Sequence, residues 1–188
     1  MEAPYTTYKK SEFIETDTGN KVSRRSLISG SQNIVLGGKS IVHHKCTIRG
    51  DLRRAGPSHQ AAILIGRFCS LGPHSVLRPP YKSYKAVFSY YPLKIGDHVD
   101  IGPNSIIEAA SIGSHVRIGA NCIVGRFAII KDCCLIEDGA VIAPNSVIPP
   151  FSHVAAGPPA RIVAQLPEST LEAFEALSKD AYAKFVPE

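Results

Sequence analysis

IGDHVDIGPNSIIEAASIGSHVRIGANCIVGRFAIIKDCCLIEDGAVIAPNSVIPPFSHV, residues 95–154, repeats itself with a period of six. An aliphatic side chain stands at Ile95, Ile101, Ile107, Ile112, Ile118, Val124, Ile130, Ile136, Ile142, Ile148 and Val154. Every step is six residues except the five from Ile107 to Ile112. Glycine directly follows at Gly96, Gly102, Gly113, Gly119 and Gly125, and four places after most aliphatics comes a small or β-branched residue such as Val99, Ser105, Cys122, Ala128 or Cys134. Two earlier blocks, Leu36–Val42–Ile48 and Ile65–Leu71–Leu77, obey the same rule. A period of six is neither the helical period nor simple alternation; on a helix it would carry the apolar position around the axis. It fits a short strand plus a turn, with three such units closing a triangular coil. The aliphatic fills the prism, the small residue fits near a corner, and glycine is expected to supply the corner dihedrals. Coils stacked at the ~4.8 Å strand spacing cover one another's apolar faces. The predicted fold is therefore of the β class, a single-stranded parallel β-helix of about six turns over residues 34–164.

Periodicity leaves the hand open. Parallel crossovers are right-handed as a rule, but hexapeptide-repeat chains are the exception, so resemblance to that class implies a left-handed coil.

Two stretches break the period. RRAGPSHQAA (53–62) reads as a polar loop, and PPYKSYKAVFSYYP (79–92) as a second loop rich in aromatics and lysine. Insertions in a solenoid project from one face and often carry its contacts. Tyr81, Lys82, Tyr84, Lys85, Phe88, Tyr90 and Tyr91 are accordingly the candidate protein-binding residues. The alternative is that these aromatics fold back over the coil. Beyond Gly157-Pro158-Pro159 a C-terminal helix is predicted within 165–188, with Ser169 and Glu172 as a capping box and Leu171, Phe174, Leu177, Ala181 and Phe185 on the face that lies along the prism. Residues 1–33 show no clear hexads and are expected to cap the first coil, whose open edge would otherwise template aggregation.

The 188 residues carry a net charge of +5 and 44% hydrophobic side chains. No apolar run approaches the ~18 residues of a membrane span, so direct membrane insertion is not expected. The N-terminus MEAPYTTYKK has no secretory apolar core, which points to a cytoplasmic chain with reduced thiols. Basic residues are dispersed, so no nucleic-acid partner is expected.

Hexapeptide β-helices include CoA-dependent acyltransferases and gamma-class carbonic anhydrases, and Arg49-Gly50-Asp51 resembles a signature of the second group. In that group three histidines hold zinc. The matching positions here are Arg78, Pro103 and Glu108, a set that cannot do so. His98 and His115 occupy equivalent places one coil apart, followed by Cys133. Three rungs span about 10 Å, too far for one ion, which leaves a two-residue surface site or an outward polar ladder. Cys46, Cys69, Cys122 and Cys134 fall in the small-residue slot and read as apolar fillers, with Cys133 the exposed exception. No residue is singled out as catalytic, cofactor-binding or metal-binding, and no cofactor is expected.

YKKSEFIETDTGNKVSR (8–24), SGSQNIVLGGKSIV (29–42), IRGDL (48–52), VLRPPYKSY (76–84), PLKIGDHV (92–99) and KDCCLIEDGAVIAPNSVIPPF (131–151) together resemble the dynactin subunit 5 family of pointed-end subunits. The 53–62 loop is longer than the family pattern. The resemblance implies a non-catalytic scaffold paired with dynactin subunit 6, near the pointed-end actin-related protein and the p62 subunit. It implies a chain that links dynein and dynactin to membranous cargo such as endosomes, through dynein cargo adaptors, on the microtubule cytoskeleton. A carbonic anhydrase-like zinc enzyme and a CoA-dependent acyltransferase are the alternatives.

Overall fold

The computed structural model describes residues 2–54, 56 and 60–188. Part of the expected 53–62 loop thus lies outside the described residues.

The chain winds as a single-stranded left-handed parallel β-helix whose three faces are parallel sheets. The interior columns are the aliphatics of the hexads. Leu36, Ile65, Ile95, Ile112, Ile130 and Ile148 stack on the first face. Val22, Val42, Leu71, Ile101, Ile118, Ile136 and Val154 stack on the second. Ile28, Ile48, Leu77, Ile107, Val124 and Ile142 stack on the third. Most are fully buried and form one continuous core. The small-residue slot closes it: Ser40, Cys46, Cys69, Ser75, Val99, Ser105, Val116, Cys122, Ala128, Cys134 and Ala140 are all buried. Burial pushes the Cys46 thiol up to about 11 and the Cys69 thiol up to about 12, so neither is a nucleophile at neutral pH.

The corners work differently from the sequence expectation. The left-handed backbone sits three places after most of the aliphatics and not at the glycine that follows them. Lys39, Lys45, Phe68, His74, His98, Asn104, His115, Asn121, Phe127, Cys133, Asn145 and Phe151 all hold it, with φ between 50° and 61°, and Gly139 holds it at 74°. The glycine one place after the aliphatic serves close approach. A Cβ on Gly102 would lie 2.5 Å from the Gly119 carbonyl on the next rung. At Gly66, Gly113 and Gly119 the vacant space admits an aspartate from the rung above. Those aspartates, Asp97, Asp132 and Asp138, accept the amides of Arg67, Ser114 and Ala120 at 2.7–2.8 Å and satisfy corner donors.

The stack also begins earlier than residue 34. Lys21–Ser23 and Leu27–Ser29 already pair in register with the first full coil. An eight-residue step from Ile28 to Leu36, widened by the turn at Ser31–Asn33, hides this hexad pair in the sequence. The second face is closed at both ends by antiparallel strands, Phe13–Glu15 and Arg161–Gln165, which blunts those two edges.

Helix α1 spans Thr170–Lys184 and runs back along the corner column. Leu166 donates to the Phe151 carbonyl, Glu175 meets His115, Ser178 meets His98, and Tyr182 lies edge-on to Phe68. Three or four helical residues rise about 4.5–6 Å, close to one rung, which keeps this register. The capping box does not form; Ser169 makes no side-chain cap. Phe185 leaves the helix for a short strand, Phe185–Pro187, paired with Thr6–Tyr8. Both ends of the chain are thereby joined over an aromatic cluster of Tyr8, Phe13 and Phe185.

His43 packs edge-on against Phe185 in this cluster. Burial, with His44 adding to it, pushes its imidazole down to about 4. A histidine depressed in the folded state contributes stability in full above the unfolded value of about 6.5, lost as pH falls toward about 4. The expected loss is on the order of 3 kcal/mol. Melting curves between pH 7.5 and 4.5 should show this acid limb, and His43→Gln should flatten it.

Candidate functional site

The two interruptions leave the coil at the same corner, one rung apart, after Thr47–Arg49 and after Val76–Leu77. The second is a β-hairpin and not an irregular loop. Tyr81–Tyr84 pairs antiparallel with Val87–Tyr90, with Tyr81 opposite Tyr90 and Tyr84 opposite Val87. The two-residue turn, Lys85 and Ala86, has φ of 47° and 61°, the twist that suits a tight hairpin. Neither residue is a glycine or asparagine, so the usual sequence signal for such a turn is absent.

Alternation along the strands divides the candidate residues. Tyr81, Phe88 and Tyr90 share one face and pack together, with ring centroids 5.0–6.1 Å apart. Arg126 of the coil lies 4.4 Å over the Tyr81 ring, and Tyr91 sits 5.4 Å from Phe127. These contacts fasten the hairpin to the prism. Lys82, Tyr84 and Val87 share the other face, and the Lys85 ammonium lies 5.4 Å over the Tyr84 ring. Tyr84, Val87 and Phe88 remain 65%, 66% and 52% exposed. Folding back and projecting outward are therefore both present: Tyr81, Tyr90 and Tyr91 fold back, Tyr84 and Val87 project, and Phe88, packed on Tyr81 and Tyr90 yet half exposed, does both.

At the hairpin's base, Arg49 and Asp51 form a two-pronged pair at 2.8 and 2.7 Å. Arg78 and Glu108, two of the positions where carbonic anhydrase-like relatives carry zinc ligands, are bonded to each other at 2.8 Å. With Pro103 at the third position, this set does not fit a zinc ion.

A second cluster lies on the helix side. His98 and His115 stack at 4.9 Å, within 12° of parallel. The helix contributes Glu175 and Ser178 to them. Cys133, expected to be exposed, is only 1% accessible; it lies on the rung between the Glu175 and Leu166 contacts, under the start of the helix. Burial, and then His115, holds the His98 imidazole below its usual range. The hexad pattern alone could not find Glu175, because residues 169–188 lie outside the repeat and their register on it is set only by packing. His153 pairs with Glu137 at 2.7 Å, whose other carboxylate oxygen accepts the Ala156 amide at 3.2 Å, and His44 lies 5.9 Å from His74.

The family model described as dynactin subunit 5 matches residues 1–188, the whole chain. The chain belongs to the dynactin subunit 5 family. A dynactin subunit 5 of Dictyostelium discoideum is 43% identical over 107 residues, which are 57% of this chain and 50% of that protein. The match thus spans about half the length of that curated relative. Among solved structures, a hexapeptide transferase family protein of Anaplasma phagocytophilum superposes with a TM-score of 0.63 at 17% identity, over 87% of this chain and 89% of that one. The N-acyltransferase AntD of Bacillus cereus, solved with dTDP and 3-hydroxybutyryl-CoA, gives a TM-score of 0.66 at 14% identity, over 90% and 92%. At such identities the likeness concerns the fold alone. Among the described residues of this dynactin subunit 5 family member, no helix is long and apolar enough to cross a membrane.

Proposed function

We propose that this chain is a non-catalytic scaffold of the dynactin pointed end, joining the complex to membranous cargo through adaptors. The observation that carries the reading is the full-length family match together with a rigid prism that displays an aromatic hairpin. A stacked coil with a continuous core bends little, which suits a strut. Exposed Tyr84, Val87 and Phe88 beside Lys82 and Lys85 have the aromatic and cationic character of interface anchors. Dynactin subunit 6, the pointed-end actin-related protein, the p62 subunit and dynein cargo adaptors are the partners this reading assigns, in the cytoplasm on the microtubule cytoskeleton.

Affinity capture of the tagged chain from its native cell tests the proposal. Co-elution of dynactin subunits in fixed stoichiometry is expected. A chain that elutes without them, or that binds CoA in calorimetry, overturns it in favour of an acyltransferase. That alternative at present rests only on a fold shared with acyltransferases.

A further inference from the structure

We propose that His98, His115 and Glu175 form a binding site for a divalent transition-metal ion, zinc foremost, which clasps the C-terminal helix onto the coil.

One ligand atom from each of these three side chains lies within 4.8 Å of the other two. Two come from successive rungs of one corner column and the third from α1. The adjacent rungs overcome the limit that a column of three would impose. Two nitrogens one rung apart can close on a shared ion at the usual ~2 Å ligand distance once the rings tilt out of their stacked arrangement so that both lone pairs converge, whereas three rungs cannot.

The hydrogen bonds around the cluster favour a ligand. Ser178 donates its only hydroxyl proton to the Glu175 carbonyl at 2.9 Å. With that proton so placed, the Ser178 oxygen accepts from His98 Nδ1 at 2.6 Å, the tautomer in which Nε2 keeps the lone pair. Metal-binding imidazoles commonly make this outer hydrogen bond. His115 Nε2 is inaccessible to solvent and has no hydrogen-bond partner; the Glu175 carboxylate stands 3.4 Å away. A buried imidazole nitrogen left in this condition is costly unless something occupies the position. Two imidazoles and one carboxylate suit zinc or a neighbouring d-block ion better than magnesium or calcium, which prefer all-oxygen sites. The ion has a competitor on the molecule itself, since Lys179 holds Glu175 at 2.5 Å.

The test uses the full chain, stripped with chelator and desalted, then titrated with zinc chloride against a chromophoric competitor. One zinc per chain is expected. Ser178→Ala should bind roughly tenfold more weakly, because the ring loses its outer hydrogen bond. His115→Gln and Glu175→Gln should lose the site, whereas Lys179→Met should bind more tightly than the parent. Zinc should slow hydrogen exchange of amides in residues 170–184 in the parent and not in Glu175→Gln. Cobalt substitution should give tetrahedral d–d bands without thiolate charge transfer. Circular dichroism confirms that each variant is folded, with His98→Asn as a second variant if His115→Gln is not. Absence of stoichiometric zinc on the folded parent overturns the proposal. So does zinc retained by His115→Gln, which would put the ion on other ligands, or a thiolate band from cobalt, which would put it on cysteines.

Discussion

Gly102→Ala is expected to destabilise the chain by about 3 kcal/mol and lower its melting temperature by about 6–12 °C. The added methyl would lie 2.5 Å from both the carbonyl carbon and oxygen of Gly119 and 2.6 Å from the Ala120 nitrogen. All three are backbone atoms of the next rung, tied by the ladder bond from the Gly102 amide to the Ile118 carbonyl at 2.8 Å. No side chain can swing aside, so the rungs must part and buried hydrogen bonds must lengthen. Gly139→Asn is the matched control. Gly139 has φ of 74° with nothing within 4 Å of its would-be Cβ. Its equivalents Asn104, Asn121 and Asn145 adopt the same left-handed corner, so this change should cost less than about 1 kcal/mol. Thermal denaturation of the two variants beside the parent distinguishes close approach from backbone freedom. Equal losses would mean that the corner glycines act through φ after all.

The second large effect concerns binding. Replacing Tyr84 and Phe88 together with serine should weaken capture of dynactin subunits or adaptors by roughly 30-fold or more, since exposed aromatics that anchor an interface commonly carry about 1 kcal/mol or more each. The melting temperature should fall by only about 2–4 °C, because Tyr84 is 65% exposed and the loss is confined to the Phe88 ring contacts with Tyr81 and Tyr90 at 5.1 and 5.0 Å. Tyr91→Ala should cost similar stability without the loss of capture. It removes the ring contact with Phe127 at 5.4 Å and should cost about 1 kcal/mol of stability with a smaller effect on binding. Pull-down with quantified subunits, paired with melting curves, reads both. Unchanged capture by the folded Tyr84/Phe88 double variant would remove the hairpin from the interface and leave the coil faces to carry the contacts.

The aliphatic columns were legible because each interior position demands the same chemistry on every coil, and a repeated demand leaves a repeated residue. Ile101, Ile118 and Ile136 are one slot written three times. The same logic located the buried thiols of Cys69, Cys122 and Cys134 in the small-residue slot. The glycines were visible but misassigned. A period in sequence shows that a position is constrained, not whether the constraint is a dihedral angle or a neighbouring backbone 2.5 Å away.

What the amino-acid order determined by itself was the prism: its period, its core and the two places where the chain must leave it. Each of these follows from contacts between residues at a fixed separation along the chain. Tertiary structure decided what happens where that separation is not fixed. Residues 79–92 became a hairpin fastened by Arg126 and Phe127, more than thirty residues further along the chain. Cys133 became buried, and Glu175 came to face His98 and His115, because α1 packs back along the corner column at about one rung per turn. Those contacts join segments outside the repeat to segments within it, and no local pattern encodes the register between them.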